Sequence, residues 1–442
     1  MTTRGLGLSS LSRSIGATFG RHIAAAVLGL VTMAVIARLY GQAGIGAYTV
    51  ALLLPTTLTT FLNLGVAPAN VYHLGSGQVS VTALLRANVR IAAWLTTIGL
   101  AVGAAVLAWF SESFFPGVPP FVLWLALATF PIALLNIYLL SVFQGLQQFR
   151  PFNLILVGQP TVLLLLVATL ALAGSRELPL LITASLLAQL SMLTIAWVKL
   201  RPLVGDEPAS PATPGFLRRT LDYGWKAHLS NILAFVNYRA DIFITNLFMG
   251  PAAVGIYVVS VTFSEKLWMI SQSVSTVLLP RLSQLASDEA KRKQLTPLVA
   301  RWVLAATLCG AVIVAVVGGP FIQVVFGSDF RSALAPLLLL LPGVVLASVS
   351  RVLANDIAAR GRPELNLYTS IVVVIVNVIG NMVLIPRYGL LGAAGATTIA
   401  YSLNLVLRLI IYGRFTQNHW ADSIFLKASD LRMLRAAFDR QR

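Results

Sequence analysis

Acidic side chains and cysteine are the scarcest chemistry in this sequence. Of 442 residues only 15 are Asp or Glu, and one, Cys309, is a cysteine. A single thiol excludes an intrachain disulfide framework. The histidines, His22, His73, His228 and His419, are scattered without the spacing of a metal site. No glycine-rich phosphate loop of the P-loop form is present, which argues against ATP hydrolysis. No metal, cofactor or catalytic residue is therefore expected. Charge of either sign is rare, at 11% of the chain, where soluble domains carry about a quarter.

What fills the chain instead is hydrocarbon. Hydrophobic residues make up 57% of it, and the mean hydropathy is +0.83. A bilayer-spanning helix needs ~20 apolar residues. Twelve such stretches can be drawn, roughly 15–37, 45–66, 90–110, 119–143, 151–173, 178–199, 226–249, 254–280, 299–326, 332–357, 364–386 and 389–412. The fold class expected is an all-α polytopic membrane protein. Because the first apolar run is followed by many others, it reads as a signal anchor rather than a cleaved signal peptide. The surplus of +17 would suggest nucleic acid in a soluble protein, but here it lies between spans. With the N-terminus inside, nearly all of the 32 basic residues fall in cytoplasmic segments or flanks, Arg21, Arg90, Arg351 and Arg408 among them. Only Arg38, Arg176, Arg331 and Arg387 remain outside, so both termini are expected in the cytoplasm.

The Pro- and Ser-containing stretch RPLVGDEPASPATPGFLRRTLD, near the middle of the chain, reads as a linker. The expected organisation is an N-terminal six-helix lobe at 1–200, a cytoplasmic linker at 201–221, a C-terminal six-helix lobe at 222–413 and a basic tail at 414–442. GIGAYTVALLL at 44–54 resembles AVGIYVVSVTF at 253–263, with Gly46 and Tyr48 matching Gly255 and Tyr257. The two lobes thus read as parallel repeats. In the tail, Leu431, Leu434 and Phe438 share one helical face and Arg432, Arg435 and Asp439 another, as in an interfacial helix on an anionic leaflet.

The stretch 222–285 carries four ionisable residues deep in apolar sequence: Arg239, Asp241, Glu265 and Lys266. A charge at the centre of a span costs ~3 kcal/mol on insertion scales, so these side chains are expected to face a protein interior or a water-filled pathway. One reading is internal ion pairing, Arg239 with Glu265 or Asp241 with Lys266. The other is a polar pathway.

Three stretches resemble the multidrug/oligosaccharidyl-lipid/polysaccharide exporter superfamily, and within it the polysaccharide branch of O-antigen and exopolysaccharide flippases. They are IARLYGQAGIGAYTVALLLPTTLTTFLNLGVAPA at 36–69, RADIFITNLFMGPAAVGIYVVSVTFSEKLWMISQSVSTVLLPRLS at 239–283, and NVIGNMVLIPRYGLLGAAGATTIAYSL at 377–403. The resemblance implies two lobes around a central cavity in the bacterial cytoplasmic membrane. It implies translocation of an undecaprenyl-pyrophosphate-linked oligosaccharide from the cytoplasmic to the outer leaflet, by alternating access driven by a proton or sodium gradient. Its partners would be the lipid-linked oligosaccharide, membrane lipids and polysaccharide polymerase or glycosyltransferase machinery. For such a cargo, Arg239 and Lys266 are the candidate pyrophosphate donors, with Arg21 and Arg90 at the entrance, since a guanidinium pairs two phosphate oxygens. Asn237 and Gln272 rank first as sugar contacts; Tyr48, Tyr72, Tyr138, Tyr238 and Tyr257 offer rings to stack on, although interfacial or packing roles are commoner for tyrosine. Asp241 and Glu265 are the candidate coupling carboxylates. The alternative within the superfamily is a cation-coupled multidrug exporter; many of those carry a carboxylate in the N-terminal lobe, where this chain has only Glu112 and Glu177, both in loops. A polymerase or ligase would need a large outer loop with catalytic groups, and the longest, around 111–118, holds only Glu112. An enzyme is therefore not expected.

Overall fold

A computed structural model of the protein describes residues 8–77, 79–204, 216–285, 288–427 and Asp430. The expected tail helix and most of the central linker lie outside these residues, as does the side chain of Arg21. The described chain runs through α1 (Leu8–Ala51), α2 (Leu53–Leu62), α3 (Val66–Gly75), α4 (Val81–Phe114), α5 (Pro120–Leu127), α6 (Thr129–Gly145) and α7 (Phe149–Leu172). It continues through α8 (Leu178–Leu200), α9 (Phe216–Lys266), α10 (Trp268–Gln284), α11 (Glu289–Phe326), α12 (Leu334–Ala359) and α13 (Pro363–Thr416). Among the described residues there is no β-strand.

Among the described residues, nine stretches of helix are long and apolar enough to cross a membrane. Three are far longer than one crossing needs: Ile23–Leu62, His228–Ser275 and Pro363–Thr416, at 40, 48 and 54 residues. Each contains one residue with non-helical dihedrals: Gly41 in α1, Gly250 in α9 and Gly389 in α13. All three have positive φ (67°, 76° and 57°), which a glycine adopts without a Cβ penalty. Divided at these glycines, the nine stretches are consistent with twelve crossings. Prolines mark smaller breaks. α1 ends at Ala51 and α5 at Leu127, the residues whose carbonyls lose their hydrogen bonds to Pro55 and Pro131. Helix starts follow ordinary capping. Ser80 Oγ accepts from the Ala83 amide at 3.3 Å, and Asp288 Oδ1 from the Lys291 amide at 3.1 Å.

Apolar side chains point outward as well as inward. Trp94, Trp109, Leu172 and Val316 are all exposed, Trp109 at 76%. Outward-facing hydrocarbon of this size suits lipid, not water. Cys309, in the apolar part of α11, is also exposed.

The chain forms two compact units. One covers the described residues up to Phe235 together with Met249–Gly255, and the other covers Val236–Phe248 and the described residues from Ile256 onward. Within the first, Leu84, Leu139, Phe143, Ile155 and Met192 form a buried cluster. Also within it, the two halves of the repeat meet. A Cβ on Gly46 would collide with the carbonyl of Pro251, and one on Gly255 with the carbonyl of Gln42. The collisions are reciprocal, and Gly41 and Gly250 each stand five residues before these glycines. The repeat read from Gly46/Tyr48 and Gly255/Tyr257 is thus matched by equivalent backbone breaks. Within the second unit, Leu282, Val303, Val349, Leu353 and Leu405 form the core cluster.

Candidate functional site

The second unit carries a polar cluster inside its apolar helices. Its members come from four elements. Tyr257, Val261, Ser264 and Trp268 recur at spacings of four, three and four, which puts them on one helical stripe. Tyr238 and Asp241 lie on the earlier part of α9, and Thr397, Tyr401 and Arg408 on one face of α13. Arg351 comes from α12.

Asp241 is the anchor. It is 3% exposed, and its carboxylate is held by hydroxyls and the backbone rather than by a cation. Tyr257 donates its hydroxyl to Oδ2 at 2.8 Å, the Ile242 amide donates to Oδ1 at 2.8 Å, and Thr397 reaches Oδ2 at 3.5 Å. Arg239 and Glu265 act on it through space. Among the described residues, no ion pair joins Arg239 to Glu265 or Asp241 to Lys266. The pairing reading of the buried charges is therefore replaced by a hydrogen-bonded carboxylate with a half-buried arginine nearby. A buried carboxylate needs such donors, because leaving a charge without hydrogen bonds costs several kcal/mol. A crevice of about 10 Å³, room for about one water, opens beside Asp241 among Tyr238, Glu265, Trp268 and Tyr401.

An aromatic group covers this crevice. The Trp268 ring lies 4.9 Å from that of Tyr238 and 5.7 Å from that of Tyr401. Arg351 sits over Trp268 with its guanidinium carbon 5.5 Å from the ring centre, and its Nη1 donates to Gln272 Oε1 at 3.5 Å. Arg408 donates Nη1 to the Ser350 carbonyl at 3.0 Å and its hydroxyl at 3.1 Å, while its Nε has no partner. Arg351 and Tyr238 lie within electrostatic range of Arg408. Neither Arg351 nor Arg408 pairs with a carboxylate among the described residues.

The residues singled out from sequence divide accordingly. Arg239, Asp241 and Glu265 come together, and Gln272 joins them through Arg351. Lys266 is exposed at the end of α9 but acts on Glu265 electrostatically. Asn237 is buried, with its side-chain oxygen unpartnered. Arg90 is exposed on α4 in the first unit, and Arg21 lies in α1 with its side chain outside those described. Tyr48, Tyr138 and Tyr257 are not free rings for sugar stacking. Tyr48 is bonded to Ser185, Tyr257 to Asp241, and Tyr138 is fully buried. Sequence reading passed over Thr397 and Tyr401, and it assigned Arg408 to a cytoplasmic flank. The missed signal is depth: eight residues before the end of α13, Arg408 sits ~12 Å inside the helix terminus.

Residues 35–335 match the profile of a family described as polysaccharide biosynthesis protein. The chain belongs to this family. The probable low-salt glycan biosynthesis flippase Agl15 of Haloferax volcanii is 27% identical to this chain over 195 residues. That match covers 43% of this chain and 41% of Agl15, so the chain spans less than half the length of this relative. Solved structures share the family's fold at lower identity. The lipid II flippase MurJ, in an inward closed conformation, superposes with a TM-score of 0.72 at 15% identity, covering 89% of this chain and 87% of that one. An inward-facing multidrug resistance MATE family transporter of the MOP superfamily gives 0.73 at 13% identity, covering 89% and 94%. The protein is thus a multi-pass membrane member of the polysaccharide biosynthesis family with the architecture of the MOP superfamily.

Proposed function

We propose that the protein flips a lipid-linked oligosaccharide across the bacterial cytoplasmic membrane for surface polysaccharide synthesis. The observation that carries this reading is a pair of intramembrane arginines without carboxylate partners, Arg351 and Arg408, beside an aromatic group. A cation inside a span is costly to keep, and a pyrophosphate is the group that would neutralise two guanidinium forks at once. Arg239 joins them as a third donor. The cargo is an undecaprenyl-pyrophosphate glycan whose tail stays in lipid while the charged head passes through protein. Asp241, with Glu265 nearby, is the coupling group: it exchanges its hydroxyl donors for a proton or sodium ion as the transporter changes state. Both termini face the cytoplasm, in keeping with the basic segments. Polymerase or glycosyltransferase partners hand over and receive the glycan.

Complementation of a strain lacking its own polysaccharide flippase tests this. Wild type restores surface polysaccharide. Arg408→Ala and Arg239→Ala abolish it at normal membrane abundance, and the Lys variants rescue in part. Fully active Ala variants at both positions would remove the pyrophosphate role. A wild type that alters drug tolerance and restores no polysaccharide in any related host would establish the multidrug reading instead.

A further inference from the structure

The ends of α10 and α11 and the segment following α13 enclose a second pocket, separate from the cluster around Asp241. Its volume is about 570 Å³, within the ordinary size of a ligand site. Five cations line it, Arg281, Lys291, Lys293, Arg301 and Lys427, against the two carboxylates Asp422 and Asp430.

Three of the five are already engaged. Arg301, 5% exposed, donates Nε and Nη2 to the two oxygens of Asp430 at 2.6 and 2.8 Å, and Nη1 to the Asp422 carbonyl. Lys427 meets Asp422 Oδ1 at 2.6 Å, and Lys291 meets Asp288 Oδ2 at 2.6 Å. The Arg301 guanidinium holds the Asp430 carboxyl below the usual carboxylate range, so this acid stays ionised and occupied at neutral pH. Both lining acids are thus spent on Arg301 and Lys427. Arg281 finds only the side-chain oxygen of Gln284, at 3.4 Å, and no hydrogen bond or ion pair joins Lys293 Nζ to a described residue. The rest of the wall includes Leu285, Leu295, Pro297 and Leu298.

Two cations without an acidic partner among the described residues, one a planar fork and one a point charge, line the pocket beside an apolar wall where α11 begins. The long apolar run of α11 begins only after Lys293, as at a headgroup boundary, and the chemistry suits a phosphate monoanion better than a neutral group. We propose that this pocket binds an anionic phosphate group through Arg281 and Lys293, supplied by a lipid headgroup or by soluble phosphate.

The test uses the full-length protein in nanodiscs or detergent, with its thermal unfolding midpoint followed during titration. One arm adds phosphatidylglycerol, with phosphatidylcholine as the zwitterionic control, and the other adds inorganic phosphate. Wild type should be stabilised by at least one anion and not by phosphatidylcholine. A response confined to phosphatidylglycerol assigns the lipid source, and an equal response to inorganic phosphate assigns the soluble one. The double variant Arg281→Gln/Lys293→Gln should raise the half-saturating concentration about thirtyfold, from about fivefold for each cation near a membrane surface. Arg281 is exposed and Lys293 half-buried, so the double variant keeps the fold. Arg414→Gln, an exposed cation outside the pocket, should titrate as wild type. A double variant that responds like wild type, or an Arg414→Gln that loses as much, overturns the proposal.

Discussion

Tyr48 and Tyr257 stand at matching places in the two halves of the repeat, each two residues after its crossing glycine. Their surroundings differ. The Tyr48 hydroxyl meets the Ser185 hydroxyl at 2.8 Å, a neutral contact that fastens one helix to another. The Tyr257 hydroxyl meets the carboxylate of Asp241 at the same distance, in a pocket with arginines nearby. Backbone breaks and close crossings are common to both halves, while among the described residues a buried carboxylate is found in only one. The comparison teaches that the repeat supplies a frame and that the chemistry was laid onto one copy of it. This explains why the first 200 residues hold only Glu112 and Glu177 as acids.

The sharpest test of that asymmetry is removal of the charge with the shape kept. Asp241→Asn should lower polysaccharide export at least about tenfold, or ~1.4 kcal/mol in the barrier, at normal membrane abundance. Ser185→Ala, its counterpart in the neutral half, should export as wild type. Equal export by Asp241→Asn and wild type would erase the functional difference between the halves. The shared frame is tested by Gly46→Ala and Gly255→Ala. Each introduces a Cβ into a carbonyl of the other half and should cost ~3 kcal/mol in thermal stability. Gly29→Ala, with open space around the new methyl, should be neutral or raise the melting point slightly.

Smaller effects separate the two tyrosines. Tyr257→Phe deprives a buried carboxylate of a donor and should cost ~2 kcal/mol, against ~1 kcal/mol for Tyr48→Phe. Thermal unfolding of both variants in one detergent would measure the gap, and identical losses would mean that Asp241 gains nothing from its hydroxyl. The smallest effect concerns the tail. Arg301 depresses the pKa of Asp430, so this contact stabilises the folded state above the unfolded carboxylate's pKa and is lost as pH falls through the lower, folded value. The thermal unfolding midpoint should therefore fall as the pH drops into the acid range, and Asp430→Asn should lessen that fall.

Much of the architecture was readable from residue order alone. Apolar length marked the spans: Gly41 and Gly250 fall between segments drawn as separate crossings, and Gly389 is the first residue of the twelfth. Asp241 and Glu265 were legible because carboxylates inside hydrocarbon are conspicuous. Their partners were not. Tyr257 lies 16 residues from Asp241 and Thr397 lies 156 away, and no local spacing announces that α9 and α13 bring them together. Arg408 was obscured for another reason: charge counting treats a basic residue near a span's end as a flank, whatever its depth. Which of the tyrosines pack inward was not legible, because composition does not report which face of a helix is covered.

The lone cysteine has a practical consequence. Cys309 is exposed in the apolar part of α11, and no other thiol competes with it. Only a thiolate reacts with a maleimide, so a thiol engineered into a water-facing loop is labelled ahead of Cys309 in its hydrocarbon surroundings. Two such engineered thiols make a distance ruler with a single native cysteine as background.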